Sequence, residues 1–425
     1  MELKFHDNRG TLFFINKNNL HYKQTTISCN KKNVFRGIHI NNFEKLVTCI
    51  QGKILDIIIN FDESAPDYLE PKYYELDPLT ELFQILVPPN YGHAFLSLEE
   101  NSILVYNLAG EFSQENTKHI HFLDPYINMN FLPKTIDVKD LIISKNDSIV
   151  EFIKPIDYLV FGTNGFLGSN IIKILSSQNK NYVSSNLRLN EIDKIKTLIQ
   201  LYKPKYIINC AGISGKPNIF WCDDNKIETI ESNLTYQLTL AALCKEHNIH
   251  LTVFGSGGIF NNDKIYLEED IGNNYNNFYG KCRILLEDII SNYNNVLYLR
   301  INYPLTSQKC NKNLLTKLLN YKTIDDCEIS ITYIDDLFLI LIKMIENNEI
   351  GICNFTNPGQ IKLTDILRKY QEISNKNLNI IVNSENIDNK RSLAKLQTCK
   401  IEKYNPLNIN DAIENCIIKY EKNSI

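Results

Sequence analysis

A glycine-rich turn at residues 156–168, with the sequence IDYLVFGTNGFLG, constrains the fold of this chain more than any other stretch. An apolar run over Tyr158–Phe161 stops at a glycine, and two more glycines follow at three-residue intervals. The next residues, SNIIKILSSQ, carry apolar positions at helical spacing, so the stretch predicts a strand, a turn and a helix. Such a turn approaches a pyrophosphate closely, and the helix offers its N-terminal amides to that anion. We therefore predict a dinucleotide site formed by Gly162, Thr163, Asn164, Gly165, Phe166, Leu167 and Gly168.

The bulk properties of the chain exclude several classes of protein. Its 425 residues are too many for one ordinary core, so two or three domains are expected. A formal net charge of −4 gives no electrostatic reason to expect binding to nucleic acid or to an anionic membrane. No stretch has the roughly 18 consecutive apolar residues of a membrane span. The apolar run at 337–345 contains Lys343 and predicts a buried helix.

Cysteine usage and the first residues bear on the compartment. Eleven cysteines show no CxxC pair and no metal-ligand spacing, which is typical of free thiols in a reducing cytoplasm. The first ten residues, MELKFHDNRG, lack the apolar core of a signal peptide. We therefore expect a cytoplasmic protein.

Two different patterns divide the chain. Up to about residue 135, short β-rich runs alternate with turns, which predicts an all-β barrel or sandwich. These runs lie at 10–14, 45–50, 53–59, 82–87 and 102–108. From about residue 155, strand-like and helix-like segments alternate, which indicates a parallel doubly wound sheet. We predict a first domain over 1–145 and a second over 155–425, with a mixed, polar connection over 137–155.

The first half carries a series of short motifs in a fixed order. They are DNRG at 7–10, FRGIH at 35–39, KLV at 45–47, PPNYGHAF at 88–95, and Tyr106. In order and spacing these motifs resemble those of the 3,5-epimerases of the rhamnose pathway, which act on nucleotide-linked 4-keto-6-deoxyhexoses and are cupin barrels. The resemblance covers roughly residues 1–140.

The resemblance implies that His39 is a base, Tyr106 an acid on the opposite face of the sugar, and Lys45 a stabiliser of the enolate. The chemistry suits these residue types, because a ketone at carbon 4 acidifies the hydrogens at carbons 3 and 5. Inversion then needs a base, an acid on the other face and a cation near the oxyanion, and general acid–base help contributes ~10²–10⁴-fold. Taken singly, each residue has a structural alternative: a core histidine, a barrel-filling tyrosine and a solvated strand lysine.

The resemblance also implies substrate contacts and a partner for the base. Arg36 would hold the diphosphate, and Arg9 would bind substrate as well. Family members pair the base with an aspartate in a late LSxKD-like stretch, and IDVKD at 136–140 makes Asp140 the candidate. The family also implies a homodimer formed through this domain.

Three further residues refine this interpretation. Phe112 stands near the place of a second tyrosine that the family usually carries, which leaves open whether carbon 5 is inverted as well as carbon 3. A metal-binding cupin has an HxH pair, which the sequence following His39 lacks, so we predict no metal. His93 follows a proline turn and is interpreted as positioning a loop.

The second half contains the remaining parts of a dinucleotide site. A second strand is expected at 181–185, and NAD-binding folds place an acidic residue at its end to bind the ribose. No acidic residue precedes Glu191, whereas Arg188 suits a 2′-phosphate, so NADPH is predicted over NADH. A third strand, within 205–212, ends in small residues that let the cofactor pass: Cys210, Ala211 and Gly212.

Further motifs follow in the second half. They are GKPN at 215–218, WC at 221–222, Asn233, GSGGIF at 255–260, FYGKCR at 278–283, and NFTNPG at 354–359. Over about 156–400 the set resembles the extended short-chain dehydrogenase/reductases. The plant-type 3,5-epimerase/4-reductases of nucleotide-linked L-rhamnose are the nearest match, and bacterial dTDP-4-dehydrorhamnose reductases are more distant. The resemblance implies a cofactor contact at Asn233 and substrate contacts at Lys216, Asn218 and Asn357.

The same resemblance implies a Ser–Tyr–Lys catalytic set. Ser256 supplies the hydroxyl and Tyr279 the proton, and the family lysine stands four residues after the tyrosine, where this chain has Arg283. Lys281, two residues on, would point away on a helix, whereas the i+4 position shares the tyrosine's face. A guanidinium can lower the tyrosine's pKa and bond the nicotinamide ribose, but it cannot relay a proton.

Together these observations predict a cupin epimerase fused to a Rossmann-type reductase. The substrate would be a UDP- or dTDP-linked 4-keto-6-deoxyhexose, and the product an L-rhamnose-type nucleotide sugar. Three alternatives stay open. The substrate could carry a 2-acetamido group, the cupin could be a silent dimerisation or sugar-binding module, or the second domain could be a cofactor-binding scaffold.

Overall fold

The computed structural model describes residues 4–7, 10–13, 22–113, 117–127, 140–148, 150, 152–215, 218–261, 264–383 and 394–423, the first two ranges by their backbone. The chain divides into two compact units, Met1–Lys154 and Pro155–Ile425. The first unit extends beyond the predicted end at 145. Ile142 forms a β-bridge with Val34, so the segment predicted as a connection in part completes the first unit.

The first unit is built of antiparallel strands. They are β1 (Lys4–Asp7), β2 (Gly10–Phe13), β3 (Gln24–Asn30), β4 (Phe35–Ile40), β5 (Lys45–Gln51), β6 (Ile54–Asn60), β7 (Pro71–Leu76), β8 (Gln84–Val87), β9 (Tyr91–Ser97), β10 (Ser102–Leu108) and β11 (Lys118–His119). A short helix, α1 (Lys145–Ser148), follows. One sheet has the order β3-β10-β5-β8 and a second has β11-β4-β9-β6-β7, while β1 and β2 form a sheet of their own. The predicted all-β cupin-type fold is confirmed.

Apolar side chains fill the space between the two sheets. Val47 on β5 and Leu104 on β10 belong to one buried cluster with Ile58 on β6 and Phe95 on β9. The other face of the five-stranded sheet is also covered, by Phe122 and its neighbours. Strands β6 and β9 are therefore buried along most of their length, and polar side chains that face the interior must find partners there.

The second unit alternates strands and helices. Its strands are β12 (Tyr158–Phe161), β13 (Tyr182–Ser185), β14 (Tyr206–Asn209), β15 (His250–Phe254), β16 (Ile265–Tyr266), β17 (Val296–Arg300), β18 (Thr323–Asp325), β19 (Glu328–Ile329), β20 (Gly351–Asn354), β21 (Ile361–Lys362), β22 (Ile381–Asn383) and β23 (Lys395–Leu396). Its helices are α2 (Phe166–Ser177), α3 (Ile192–Tyr202), α4 (Trp221–Asp224), α5 (Lys226–Ile230), α6 (Tyr236–Glu246), α7 (Phe278–Ile290), α8 (Leu314–Asn320), α9 (Ile334–Glu346), α10 (Leu363–Ser374) and α11 (Ile409–Lys422). The central sheet, β13-β12-β14-β15-β17-β20, is parallel throughout. The predicted doubly wound sheet is confirmed.

Alternate residues of the central strands pack on opposite faces of this sheet. In β12, Tyr158 and Val160 belong to the cluster covered by α2 and α9, whereas Leu159 and Phe161 belong to the cluster covered by α3, α6 and α7. A strand buried on both faces has a continuous apolar sequence, as this one does. The buried helix predicted at 337–345 lies within α9, as expected. Among the described helices, none combines the length and the hydropathy needed to cross a membrane.

A buried ion pair ties α7 to the central sheet. Arg300, at the end of β17, is fully buried, and its Nε and Nη2 donate to the two carboxylate oxygens of Glu287 at 3.0 and 2.6 Å. The same guanidinium donates to the carbonyl oxygens of Leu267 and Asp270 at 2.9 and 2.7 Å. These hydrogen bonds join α7 and the segment that contains Leu267 and Asp270 to the carboxyl end of β17.

We expect Arg300→Met to destabilise the second unit by about 3–5 kcal/mol, because it leaves the Glu287 carboxylate buried without its cation. Urea unfolding followed by the fluorescence of Trp221, the single tryptophan, measures this unit. The double variant Arg300→Met/Glu287→Leu should recover part of the loss. A cost below about 1 kcal/mol for Arg300→Met would contradict the prediction.

Candidate active sites

An irregularity in β4 places two polar residues on the same face of its sheet. Arg36 pairs with Phe95 of β9 and His39 pairs with His93, with a register shift between them. Residues three apart on a regular strand face opposite sides, but residues opposite each other in antiparallel strands share a face. Since Phe95 and His93 share one face of β9, Arg36 and His39 lie on that same face of the sheet, where His39 is half-buried and Arg36 is exposed. Gly37 permits the bulge with φ 121°, and a Cβ there would lie 2.6 Å from the carbonyl oxygen of His93.

The partner of His39 is Asp147 and not Asp140. Nε2 of His39 lies 2.9 Å from Oδ1 of Asp147 on α1, and Oγ of Ser144 donates to Oδ2 at 2.9 Å. Burial alone would raise the pKa of Asp147, but the hydrogen bonds from His39 and Ser144 hold it below its ordinary value. The predicted pairing with Asp140 is wrong, because the bridge at Ile142 brings α1 against β4 and leaves Asp140 exposed.

Lys45 lies beside the base. Its ammonium donates to Oδ1 of Asn41 at 3.0 Å and to the carbonyl oxygen of His39 at 3.4 Å. Burial lowers the pKa of Lys45 to about 8, and the Asp56 carboxylate opposes this shift. The structure therefore brings this predicted cation and the predicted base together.

Tyr106 lies on β10, in the sheet that faces the one carrying His39. Burial and then the Asp56 carboxylate raise the pKa of its hydroxyl, with Arg36 opposing. The phenol therefore keeps its proton and can donate it. Arg36, the predicted diphosphate ligand, is exposed, and its Nε donates to Oδ1 of Asn30 at 3.0 Å.

A second histidine–carboxylate pair, His93 and Asp56, lies in the same unit close to Tyr106. Nε2 of His93 lies 2.8 Å from Oδ2 of Asp56, both residues are buried, and the His93 ring is 6.1 Å from that of Tyr106. Burial lowers the pKa of His93, and Asp56 opposes the shift. The interpretation of His93 as a loop-positioning residue is wrong, because it is an interior residue of β9.

In the second unit, the predicted cofactor turn lies where the strand order reverses. β13 lies on one side of β12 and β14 on the other, so a crevice opens at their carboxyl ends. A cavity of about 830 Å³ lies there. Its lining includes most of the predicted cofactor residues: Gly162, Thr163, Asn164, Gly165, Arg188, Cys210, Ala211 and Gly212.

The turn itself depends on Gly162. Its φ is 73°, and a Cβ there would lie 2.5 Å from the backbone nitrogen of Ala211, so a side chain is excluded. Phe166, Leu167 and Gly168 form the first turn of α2, and the first two pack against the core. Their predicted contribution would therefore come from backbone amides.

Arg188 is the cation that follows β13 at the edge of this cavity. Glu191 does not compete for a ribose, since its carboxylate accepts from the backbone nitrogen of Arg188 at 2.9 Å and from Nζ of Lys194 at 2.5 Å. Asn233 is fully buried, and its amide makes hydrogen bonds to both backbone groups of Ile213 at 2.7 and 3.0 Å. Asn233 therefore holds the loop after β14 and supports the cavity wall through the backbone.

Of the predicted catalytic residues, Tyr279 and Arg283 lie on α7, and Ser256 lies in the turn that follows β15. Oγ of Ser256 accepts from the backbone nitrogen of Gly258 at 3.0 Å. The guanidinium carbon of Arg283 stands 5.4 Å from the centroid of the Tyr279 ring, and its Nη1 donates to the carbonyl oxygen of Phe254. Lys281 is exposed.

The buried guanidinium of Arg283 also reaches the cofactor crevice. A Cβ built on Gly212 would lie 3.1 Å from Nη2 of Arg283. The arginine thus lies on the same helix face as Tyr279, as the i+4 argument predicted, and it also reaches the end of β14.

Four predicted substrate contacts have different outcomes. Arg9 and Lys216 lie outside the described residues. Asn218 is exposed, and its Oδ1 accepts from the backbone nitrogen of Phe220 at 3.0 Å. Asn357 is fully buried, its Oδ1 accepts from Tyr333, and its Nδ2 donates to Asp336 and Leu407. The prediction that Asn357 binds substrate is wrong, because its amide is already bound within the fold.

Comparison with known proteins follows the same division of the chain. Residues 4–154 match the family described as dTDP-4-dehydrorhamnose 3,5-epimerase, and residues 156–351 match the RmlD substrate binding domain. A bifunctional dTDP-4-dehydrorhamnose 3,5-epimerase/dTDP-4-dehydrorhamnose reductase of Arabidopsis thaliana is 35% identical over 225 residues, which are 51% of this chain and 75% of that protein. The chain belongs to this epimerase/reductase family.

Two further relatives extend the comparison. A trifunctional UDP-glucose 4,6-dehydratase/UDP-4-keto-6-deoxy-D-glucose 3,5-epimerase/UDP-4-keto-L-rhamnose-reductase of Arabidopsis thaliana is 35% identical over 232 residues, which are 52% of this chain and 35% of that protein. This chain thus spans about a third of that relative's length. A crystal structure of a UDP-rhamnose synthase from Acanthamoeba polyphaga mimivirus is 28% identical, with a TM-score of 0.59, and covers 63% of this chain and 100% of that one. The resemblance inferred from the motifs is confirmed, and the chain is an enzyme of this class.

His119 is a residue of the candidate site around His39 that the sequence motifs did not indicate. It lies on β11 directly opposite His39 on β4, and the two ring centroids are 4.6 Å apart. Burial lowers the pKa of His119, and the neighbouring His39 lowers it further. Only the pairing of two strands distant in the chain brings these rings together, so no local motif could reveal it.

Reductase variants test the position of Arg283. Arg283→Lys should retain or raise activity, because it restores an ammonium on the same helix face as Tyr279. Arg283→Ala should lose ~10²-fold or more in kcat/KM, as expected when a positioned cation beside a proton donor is removed. Lys281→Ala is the matched control and should change little. Loss in Lys281→Ala without loss in Arg283→Ala would show that the register is wrong.

Proposed function

We propose that the chain converts a nucleotide-linked 4-keto-6-deoxyhexose into an L-rhamnose-type nucleotide sugar in two steps. The first unit inverts carbon 3, and the second reduces carbon 4 with NADPH. The observation that carries the first step is the His39–Asp147 pair in a barrel that also holds Lys45 and Tyr106. A relative that combines a 3,5-epimerase and a reductase in one chain supports the pairing of the two reactions.

In the epimerase step, His39 removes the acidic hydrogen beside the ketone. Asp147 orients the ring and stabilises the imidazolium that forms, because it accepts a hydrogen bond from it. Lys45 stabilises the negative charge that develops on the carbon 4 oxygen. Tyr106, whose pKa is raised by burial, returns a proton to the opposite face.

The extent of epimerisation depends on whether a second acid is available for carbon 5. Phe112 has no hydroxyl and is 45% exposed, so it supplies no proton. We therefore propose inversion at carbon 3. Deuterium exchange at carbon 5 tests whether that carbon is inverted as well. Arg36 binds the diphosphate, and Arg9 is proposed to bind it as well.

In the reductase step, the residues of the crevice suit a dinucleotide. The turn at Gly162 lets the chain pass against the backbone of Ala211 and enter α2, whose N-terminal amides suit a pyrophosphate, and Arg188 at the edge of the cavity suits a 2′-phosphate. NADPH supplies a hydride to carbon 4 when bound. Tyr279 gives its proton to the carbon 4 oxygen, Ser256 hydrogen-bonds that oxygen, and Arg283 stabilises the tyrosinate that remains.

Three finer points belong to the same proposal. The nucleotide is UDP or dTDP, since both occur in the names of the relatives. A homodimer through the first unit belongs to the same proposal, and β3, an edge strand of the four-stranded sheet, offers one side for pairing with another chain. A reducing cytoplasm suits the eleven cysteines, all of which are free thiols.

The full-length chain in deuterated water tests the base. Wild type should exchange deuterium into carbon 3 of the 4-keto sugar, His39→Ala should abolish this, and Asp147→Asn should slow it by ~10²-fold or more. Asp140→Asn is the matched control and should exchange normally. Nuclear magnetic resonance of the sugar measures both carbons. Exchange that persists in His39→Ala would move the base elsewhere.

Cofactor preference tests Arg188. Wild type should have the higher kcat/KM with NADPH, and Arg188→Ala should lose ~10-fold or more of that preference, since the cation beside the 2′-phosphate is gone. Lys194→Ala, an exposed cation nearby that pairs with Glu191, is the matched control. A wild-type preference for NADH would contradict the assignment.

A further inference from the structure

We propose that His39, His119 and Asp147 form a binding site for a divalent transition-metal ion of the Zn²⁺ class. One possible ligand atom from each of these residues lies within 4.8 Å of the other two. The sequence around His39 gave no indication of such a site, because the second histidine comes from β11 and the carboxylate from α1.

The backbone fixes the three side chains in one place. His119 is directly opposite His39 in the β11–β4 pair, so both rings project from the same face of the sheet. Nε2 of His39 is already 2.9 Å from Oδ1 of Asp147. A tetrahedral ion with bonds of ~2.0–2.1 Å needs ligand atoms about 3.3 Å apart, so small side-chain rotations complete the set.

The donor set selects the class of ion. Two imidazoles and one carboxylate, with a position left open, are the ligands of many zinc sites. Imidazole suits Zn²⁺, Co²⁺ and Ni²⁺, whereas Mg²⁺ and Ca²⁺ prefer oxygen ligands alone. In addition, Nδ1 of His119 is buried and makes no hydrogen bond to the described part of the chain. A buried ring nitrogen of this kind can be satisfied by an ion.

A hydrogen bond from Ser144 orients the carboxylate. Oγ of Ser144 donates to Oδ2 of Asp147 at 2.9 Å, and the backbone nitrogen of Asp147 donates back to that oxygen atom of Ser144 at 3.1 Å. Oδ1 of Asp147 therefore stays directed at the histidines. Hydrogen bonds of this kind hold metal-binding carboxylates in position.

The ion would inhibit the epimerase. This consequence rests on the proposed function: Nε2 of His39, which faces Asp147, would bind the ion, and the single proton of the neutral ring would then lie on Nδ1, the nitrogen that has to accept the proton of the sugar. His39 would then no longer accept a proton, and epimerisation would stop while the ion is bound. The reductase set of Ser256, Tyr279 and Arg283 uses none of the three metal ligands.

Cobalt is a direct probe of the site. Full-length protein treated with EDTA and titrated with Co²⁺ should bind one ion and show the intense visible absorption of four- or five-coordinate cobalt. His119→Ala and His119→Gln should each weaken binding by ~10-fold or more. Removing even a hydrogen-bond partner of a metal ligand lowers metal affinity by about that factor. His247→Ala removes an exposed histidine of the second unit and is the matched control. Circular dichroism shows that each variant is folded.

Two results would overturn the proposal: unchanged Co²⁺ affinity in folded His119 variants, or the pale spectrum of octahedral cobalt in wild type. Zn²⁺ should also stop deuterium exchange into carbon 3 in wild type, and higher concentrations should be needed in the His119 variants. Exchange that is unaffected by bound metal would overturn the inhibition. Metal-free wild type that shows no exchange would instead contradict the proposed function, because the cobalt spectrum does not depend on activity.

Discussion

A carboxylate that is buried in a protein needs a hydrogen bond from a cation or an imidazole, because an unpaired buried charge is costly. Pairs of this kind occur in both units. In the first unit Asp56 meets His93 and Asp147 meets His39. In the second, Glu287 meets Arg300. An unpaired charge in these positions would be too costly to bury, so each pair fixes the strand or helix that carries it. Each of these pairs therefore holds in position a residue of a candidate site or the helix that carries one.

The parts of the fold predicted from sequence are those with local causes. The turn at Gly162 follows from one strand, three glycines and one helix, and it forms as expected. Most of the predicted β-runs correspond to strands, such as Ser102–Leu108, because alternation is a local signal. The relation of Tyr279 to Arg283 also follows from helix geometry alone, and the two side chains are in contact.

The parts that sequence could not give depend on contacts between distant segments. Asp140 is the candidate from sequence because IDVKD resembles the LSxKD-like stretch, but ISKND at 143–147 has the same serine–aspartate spacing. Only the pairing at Ile142 shows that Asp147 is the partner of His39. The position of both Arg36 and His39 on one face of the sheet violates strand alternation and needs the bulge at Gly37. The resemblance makes Asn357 a candidate substrate contact, but the sequence does not show that the fold already uses its amide to bond Tyr333, Asp336 and Leu407.

The position of α1 makes the last part of the first unit more than a connection. Both sheets are formed by residues up to His119, whereas the carboxylate partner of His39 comes with Lys145–Ser148. The same late segment also packs on the core through Leu141 and Ile143, and pairs with Val34 at Ile142. A chain cut before residue 141 therefore keeps the strands of both sheets but loses this carboxylate and part of the apolar cover. Any boundary drawn between the two units has to lie after this segment.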